Sequence, residues 1–226
     1  MKRYFSPVDG GQPAKAAKLS CVSHDTPPEG FCAKKKKESL QLNETSSVDV
    51  FTIPSHIALT PEEFDSLWAV HPEEHGKVKI YGKVLDVPRW QQAFGHSYKF
   101  SGLDHKAEPM TPLLQRLLDW CKADSPSLNG CLVNWYENGE HYIGPHSDDE
   151  SLLIKGSPIY SLSFGATRTF SLHDIGTGRV VQQIPLASNT LVVMRGETQK
   201  FFKHSVPKTK KIAGKRINVT FRSFVN

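Results

Sequence analysis

The chain has 226 residues and a mass of 25.3 kDa, and a protein of this length buries about 70% of the surface its unfolded chain exposes, enough for one substantial domain with length left for a tail. At 38% hydrophobic and 23% charged residues it is too apolar to be wholly disordered, and it lacks the bias of collagen, a coiled coil or a low-complexity fibre. Lys and Arg exceed Asp and Glu by 28 to 23, a net charge of +5 whose placement says more than its size.

Residues 1–50 contain prolines, glycines and serines and the run Lys34-Lys35-Lys36-Lys37, without a sustained apolar period. They read as a mobile basic tail that cannot bury enough apolar surface to offset the entropy of ordering it. The lysine run suits a nuclear import signal or a nonspecific nucleic-acid contact, and equally a solvated charge run. The start Lys2-Arg3-Tyr4-Phe5 has a basic-aromatic pattern that would suit docking on a replication clamp, and a flexible basic tail explains it as well. No apolar signal segment follows the basic start, and stretches such as Leu191 to Met194 fall far short of the about 20 residues that cross a bilayer. The expectation is a soluble, intracellular monomer with no membrane contact.

From Val50 the texture changes. Thr60-Pro61-Glu62-Glu63 supplies a cap, a proline at the first helical position and early acids, and Phe64, Leu67 and Trp68 follow at helical spacing. A second helix is predicted from Thr111 through Cys121, where Leu113, Leu114, Leu117, Leu118 and Cys121 form an apolar face. After Leu128 the period becomes two, and strands are predicted over 131–137, 159–164, 168–173, 179–184, 190–194, 202–206 and 215–224. Many short strands without intervening long helices favour a sandwich or jelly roll over a doubly wound sheet. Cys21, Cys32, Cys121 and Cys131 form no CxxC pair, so neither a zinc knuckle nor a redox dithiol is suggested.

His146 and Asp148 are two apart, so an extended backbone sends both side chains off one face, and His204 follows 58 residues later. Two imidazoles and one carboxylate make the facial triad suited to non-haem Fe(II), although a His-x-Asp pair alone is equally a surface histidine beside an acidic turn. In 216–222, Arg216, Asn218, Thr220 and Arg222 share one face while Ile217, Val219 and Phe221 share the other. A buried polar face of this kind needs a partner, and a dicarboxylate fits two planar guanidinium forks; a solvated basic edge strand is the alternative. Asn134 and Tyr136 show the same period and would complete a carboxylate pocket, while Tyr98 and Phe100 suit either an aromatic slot beside His146 or plain core packing.

Together these segments, His146-Ser147-Asp148-Asp149-Glu150, Ser161 to Arg168, His204, Arg216 to Arg222 and Asn134-Trp135-Tyr136, closely resemble the AlkB family of Fe(II)- and 2-oxoglutarate-dependent dioxygenases, over residues 76 to 226 and in the right order. The resemblance is to its eukaryotic-type DNA-repair branch. It implies a mainly β fold with flanking helices, a double-stranded β-helix (jelly-roll) core over residues 51–226 with an N-terminal nucleotide-recognition lid at 76–105. It implies His146, Asp148 and His204 as iron ligands, and Asn134, Tyr136, Arg216, Thr220 and Arg222 as 2-oxoglutarate contacts supported by Asn218, with O2 as co-reactant. Which arginine holds which carboxylate stays open.

The same resemblance makes Tyr98, Lys99, Phe100, Ser101 and Gly102 a lid segment that clamps a flipped base. Ile80-Tyr81-Gly82-Lys83 becomes a hairpin whose Tyr81 fills the space the base vacates. Asp149 and Glu150 become acids near the base edge, with Asp149 equally able to bond Arg216 or a lid residue. From Gln199 to Asn226 there are eight Lys or Arg residues and no acid, and Lys208, Lys210 and Lys211 lie in a predicted exposed turn suited to phosphates. The implied activity is oxidative removal of methyl groups from 1-methyladenine or 3-methylcytosine in DNA, duplex or single-stranded, in the nucleus. RNA is an alternative substrate, and a nucleic-acid-binding module without turnover or a dioxygenase of a small substrate are alternative functions.

Overall fold

In the computed structural model, which describes residues 36–80, 82–100 and 103–225, the period-two stretches pair into two facing sheets. In chain order the elements are β1 (Lys36–Asn43), β2 (Ser46–Thr52), α1 (Pro61–Ala69), β3 (Lys77–Ile80), β4 (Lys83–Asp86), β5 (Trp90–Phe94), β6 (Tyr98–Phe100), β7 (Leu103–His105), β8 (Ala107–Glu108) and α2 (Pro112–Lys122). There follow β9 (Gly130–Tyr136), β10 (Ile143–His146), β11 (Ile159–Gly165), β12 (Arg168–Asp174), β13 (Val180–Leu186), β14 (Thr190–Gly196), α3 (Thr198–Phe201), β15 (Phe202–Val206) and β16 (Arg216–Arg222). The large sheet runs β1-β2-β14-β11-β16-β9-β5-β8 and the smaller one β10-β15-β12-β13. This is the jelly-roll, double-stranded β-helix arrangement expected from the sequence.

Alternation explains how the layers stack. Ile217, Val219 and Phe221 of β16 join Val133 and Trp135 of β9 and Leu162 and Phe164 of β11 in one apolar cluster with Leu114, Leu117, Leu118 and Cys121 of α2. The other core layer lies between the sheets, where Val50, Val192 and Met194 meet Phe170, Leu172, Ile184 and Val206. All seven residues of β16 are buried, so its polar face is enclosed as well as its apolar one. Both main helices start as predicted. Thr60 and Glu63 form a reciprocal capping box on α1, and Thr111 caps α2. Arg116 of α2 then forks onto the Glu63 carboxylate at 2.7 and 2.8 Å, tying the helices together.

The tail boundary is corrected. Residues 36–50, read as part of a mobile segment, form β1 and most of β2, and β2 pairs with β14 inside the large sheet. Val48 and Val50 are buried, with Leu40 and Leu42 packed beside them, a period of two that the flanking lysines and short polar turn disguise. Lys34, Lys35 and the Lys2-Arg3-Tyr4-Phe5 segment lie outside the described residues.

The 76–105 region also proves composite. β5 is a strand of the large sheet, paired with β9, while β3–β4 and β6–β7, which precede and follow it in the chain, are separate two-stranded ribbons. All four residues of β4 are exposed, with Val84 at 54% and Leu85 at 49%, so this strand of the hairpin lies open to solvent. Gly82 turns it at a φ of 78° with open space around its Cα, a conformation that glycine adopts without strain.

Candidate metal and cosubstrate site

β10 pairs antiparallel with β15, and the register sets His146 directly opposite His204, with ring centroids 4.2 Å apart. Sequence spacing of 58 residues is thereby converted into a cross-strand neighbour pair. Asp148, two residues beyond the strand, brings its Oδ1 to 3.6 Å from His146 Nε2 and 4.0 Å from His204 Nε2. The three ligand atoms all lie within 4.8 Å of one another, close enough to share one ion.

Two of the three ligands are oriented by hydrogen bonds. The Nδ1–H of His146 donates to the Gly144 carbonyl at 3.0 Å, which leaves the Nε2 lone pair turned toward the shared centre. Arg222 donates from Nε and Nη2 to Asp148 Oδ2, at 3.1 and 2.8 Å, so only Oδ1 is presented. The Asp148 backbone N–H donates to Gln199 Oε1 at 2.9 Å, fixing the turn in which the carboxylate sits. Burial pushes the His204 imidazole down to about 3, with the His146 and Arg222 charges adding to it against Asp148. Burial also lowers His146, more than the Asp148 carboxylate raises it. For Asp148 burial works upward, but Arg222, His204 and His146 hold the carboxyl well below its usual range. Two neutral imidazoles and one ionised carboxylate, the state a divalent cation needs, are therefore present without rearrangement.

The polar face of β16 looks onto this cluster from the large sheet, and Asn134, Tyr136, Arg216, Asn218, Thr220 and Arg222 all line the cavity that His146, Asp148 and His204 line. The two arginines differ. Arg222 is committed to Asp148, whereas Arg216, 1% exposed, donates from Nη2 to Ser163 Oγ at 2.9 Å and leaves Nε and Nη1 without partners. Its guanidinium sits 4.8 Å from the Tyr136 ring centroid, and burial, with Arg168 adding to it, pulls its pKa down. A buried cation with two orphaned donors is costly, about 1–3 kcal/mol for each unmet bond, and suits an anionic ligand. The donor set thus fits the groups that the sequence suggested: an Fe(II) on two nitrogens and one oxygen, and a carboxylate at the unpartnered donors of Arg216.

Asn218 faces the same cavity. Its Nδ2 donates to both Ser161 Oγ and the Leu162 carbonyl, at 2.9 and 2.8 Å, and Thr220 Oγ1 donates to its Oδ1 at 3.1 Å. Its two N–H groups are spent on β11, so it braces the strand rather than offering donors. Asp149 is exposed, and no hydrogen bond joins it to Arg216. Glu150 lines the cavity with a buried Oε2 that has no partner, and burial raises its carboxyl, helped by Asp148 and Asp149 and opposed by Arg222. Tyr98, Lys99 and Phe100 form β6, but their side chains lie outside the described set, as do Tyr81, Ser101 and Gly102. Arg89, Gln91 and Gln199 were missed, because Arg89 and Gln199 meet Asn134 and the Asp148 backbone only through the tertiary fold; the alternation of Arg89, Gln91 and Ala93 was the one local signal for the first two.

Lys208, Lys210 and Lys211 are exposed on the loop between β15 and β16, as expected. The loop is strapped to residues 137–142. The Gly139 N–H donates to the Ile212 carbonyl, the Thr209 N–H donates back to the Gly139 carbonyl, and Lys208 Nζ pairs with Glu140 at 2.5 Å. Buried Arg168 gathers the Asn138, His141 and Pro207 carbonyls on its guanidinium at 3.1, 2.9 and 2.8 Å. A Cβ at Gly139 would lie 1.9 Å from the Thr209 carbonyl oxygen, so Gly139→Ala should break the strap and cost about 1–3 kcal/mol, read by thermal unfolding. A melting point equal to wild type would mean that the loop yields freely.

Among the described residues no helix is long and apolar enough to cross a membrane. Residues 71–222 match the family model of the 2OG-Fe(II) oxygenase superfamily. The chain is 38% identical over 160 residues to DNA oxidative demethylase ALKBH2 of Homo sapiens, covering 66% of this chain and 61% of that protein. It is 35% identical over 147 residues to alpha-ketoglutarate-dependent dioxygenase alkB homolog 3 of Homo sapiens, covering 60% and 51%. The ALKBH2 protein of Arabidopsis thaliana is 34% identical over 135 residues, covering 49% and 43%. The match thus spans about three fifths of the human ALKBH2 length. With a family match that runs from His71 to Arg222, and with DNA oxidative demethylase ALKBH2 of Mus musculus 38% identical over 160 residues that cover 66% of this chain and 67% of that protein, the chain belongs to the AlkB family of the 2OG-Fe(II) oxygenase superfamily.

Proposed function

We propose that the protein is an Fe(II)- and 2-oxoglutarate-dependent oxidative demethylase of N-alkylated bases in DNA, such as 1-methyladenine and 3-methylcytosine. The observation that carries this reading is one cavity holding both a three-ligand cluster and a buried arginine with unmet donors. The metal, with 2-oxoglutarate and O2, supplies the oxidising power: one oxygen atom ends in succinate as CO2 leaves, and the other ends in formaldehyde as the methyl group leaves nitrogen.

The chain's own residues bind and orient. Arg216 takes a cosubstrate carboxylate at its unpartnered donors, and Tyr136 covers that guanidinium, keeping water from the ion pair. Arg222 holds Asp148 to a single presented oxygen, which leaves room at the metal for the cosubstrate and O2. Glu150, a buried carboxyl at the mouth of the cluster, is placed to accept from the amino group of a flipped base. The β3–β4 hairpin, with exposed Val84 and Leu85 beside Lys83, has the apolar surface and positive charge that entering a base stack requires.

The test is product formation, by mass spectrometry, from matched single-stranded and duplex DNA carrying one 1-methyladenine, with Fe(II), O2 and 2-oxoglutarate. Unmodified adenine with equimolar succinate is expected, and its absence from folded, iron-loaded protein would turn the reading to methylated RNA and then to binding without turnover. Tyr81→Ala should lose roughly tenfold or more activity on duplex and much less on single strands, since a ring that fills the vacated stack offsets a few kcal/mol of unstacking. Equal losses on both would remove the wedge role.

A further inference from the structure

Arg89 lies between the β3–β4 hairpin and β5, is 5% exposed, and meets three neutral oxygens. Its Nε–H donates to Asn134 Oδ1 at 2.7 Å, Nη2 to Gln91 Oε1 at 3.1 Å, and Nη1 to the Tyr142 carbonyl at 3.4 Å. The Tyr142 N–H returns a bond to the Pro88 carbonyl, so the stretch carrying Arg89 is held against the chain leading into β10. On its other side β5 is paired with β9, with Gln91 opposite Asn134. The guanidinium has little freedom to move.

A guanidinium has donors only, so the Asn134 atom it meets must be the carbonyl oxygen. The amide NH2 is thereby turned away from Arg89, and among the described residues no acceptor takes it. Both residues line the cavity that Tyr136 and Arg216 line. Asn218, opposite Asn134 in the β9–β16 register, has already spent its N–H groups on β11. Asn134 and Gln91, which both turn an oxygen to Arg89, keep N–H donors to offer, and Arg89 decides which way they point. Of the two, Asn134 lies on β9, the strand that carries Tyr136 and pairs with the strand of Arg216.

We infer that Arg89 is a positioning residue for cosubstrate binding, holding the Asn134 amide with its NH2 aimed at a carboxylate of 2-oxoglutarate. This rests on the cosubstrate reading above, so the experiment must tell the two apart. The full chain loaded with Mn(II), which occupies such a site without reacting with O2, is titrated calorimetrically with 2-oxoglutarate as wild type, Arg89→Met, Asn134→Ala and the double variant. Outer partners of this kind carry about 10- to 100-fold in affinity, and Arg89→Met should weaken 2-oxoglutarate at the lower end of that range while leaving Mn(II) affinity unchanged. In the Asn134→Ala background the same substitution should do nothing further.

Failure of the wild type itself to bind 2-oxoglutarate would sink the cosubstrate reading and this inference with it. Wild-type binding with an unchanged Kd in Arg89→Met would overturn the inference alone. Additive losses in the double variant would also overturn it, since Arg89 would then act independently of Asn134. Should Arg89→Met lose Mn(II) binding through misfolding, Gln91→Met removes one anchor of the guanidinium and keeps the Arg89–Asn134 bond. It should weaken 2-oxoglutarate in the wild-type background and not in Asn134→Ala, and any other pattern counts against the inference.

Discussion

His146→Ala will abolish coupled formation of succinate and unmodified base, by roughly a hundredfold or more, because even residues that only orient a metal ligand are worth 10- to 100-fold. The variant is the cleanest of the three ligand changes. The His146 side chain is 19% exposed, against 10% for His204 and 2% for Asp148, so its removal leaves the smallest void. Asp148→Asn should be equally inactive but less stable, since Arg222 then faces a neutral amide in a closed site; breaking a buried pair costs about 3–5 kcal/mol. The measurement is product by mass spectrometry after metal stripping and Fe(II) reconstitution, with Mn(II) affinity alongside. Turnover at the wild-type rate would take these residues out of the metal site.

Arg216→Met should give two effects of opposite sign. In the absence of cosubstrate the variant loses a buried cation with unpartnered Nε and Nη1 and fills the same space with an apolar chain, so its melting point should rise. Its affinity for 2-oxoglutarate should collapse, by about 2–5 kcal/mol or roughly 30- to 5000-fold, the scale for deleting one partner of a buried charged contact. A gain in stability with a loss of ligand is the signature of a residue retained for binding rather than for folding. A melting point that falls, with 2-oxoglutarate affinity unchanged, would mean that Arg216 serves the fold and that the carboxylate is held elsewhere.

Much of this was legible in the residues. The alternation of 216–222 declared a strand with a polar and an apolar face, and the enclosed polar face is what the structure shows. Sequence could not say which donors on that face were already taken, and so it could not tell those of Arg222, or of the supporting Asn218, from those of Arg216. Only tertiary neighbours separate them: Asp148 claims the first, β11 the second, and the third is left with two donors unmet. β10 was invisible because Gly144 and Pro145 interrupt any strand pattern, yet its pairing with β15 is what sets His146 against His204. The first hairpin hid behind its lysines for a similar reason, since charge on residues 36–38 masked the apolar period of Leu40, Leu42, Val48 and Val50.

The place of β16 has a consequence for how the molecule is made. It is the last strand in the described chain, yet it is inserted between β11 and β9 in the middle of the large sheet. Without it the strand order falls into two groups, β1-β2-β14-β11 and β9-β5-β8, each with an unpaired edge open to mispairing with another nascent chain. The same late event delivers Arg222, the countercharge that makes an ionised Asp148 tolerable in a closed space. Synthesis therefore carries an interval of exposure that ends only when this strand is available. Shortening the C-terminal side into β16 would split the sheet at its centre, where most chain ends only fray.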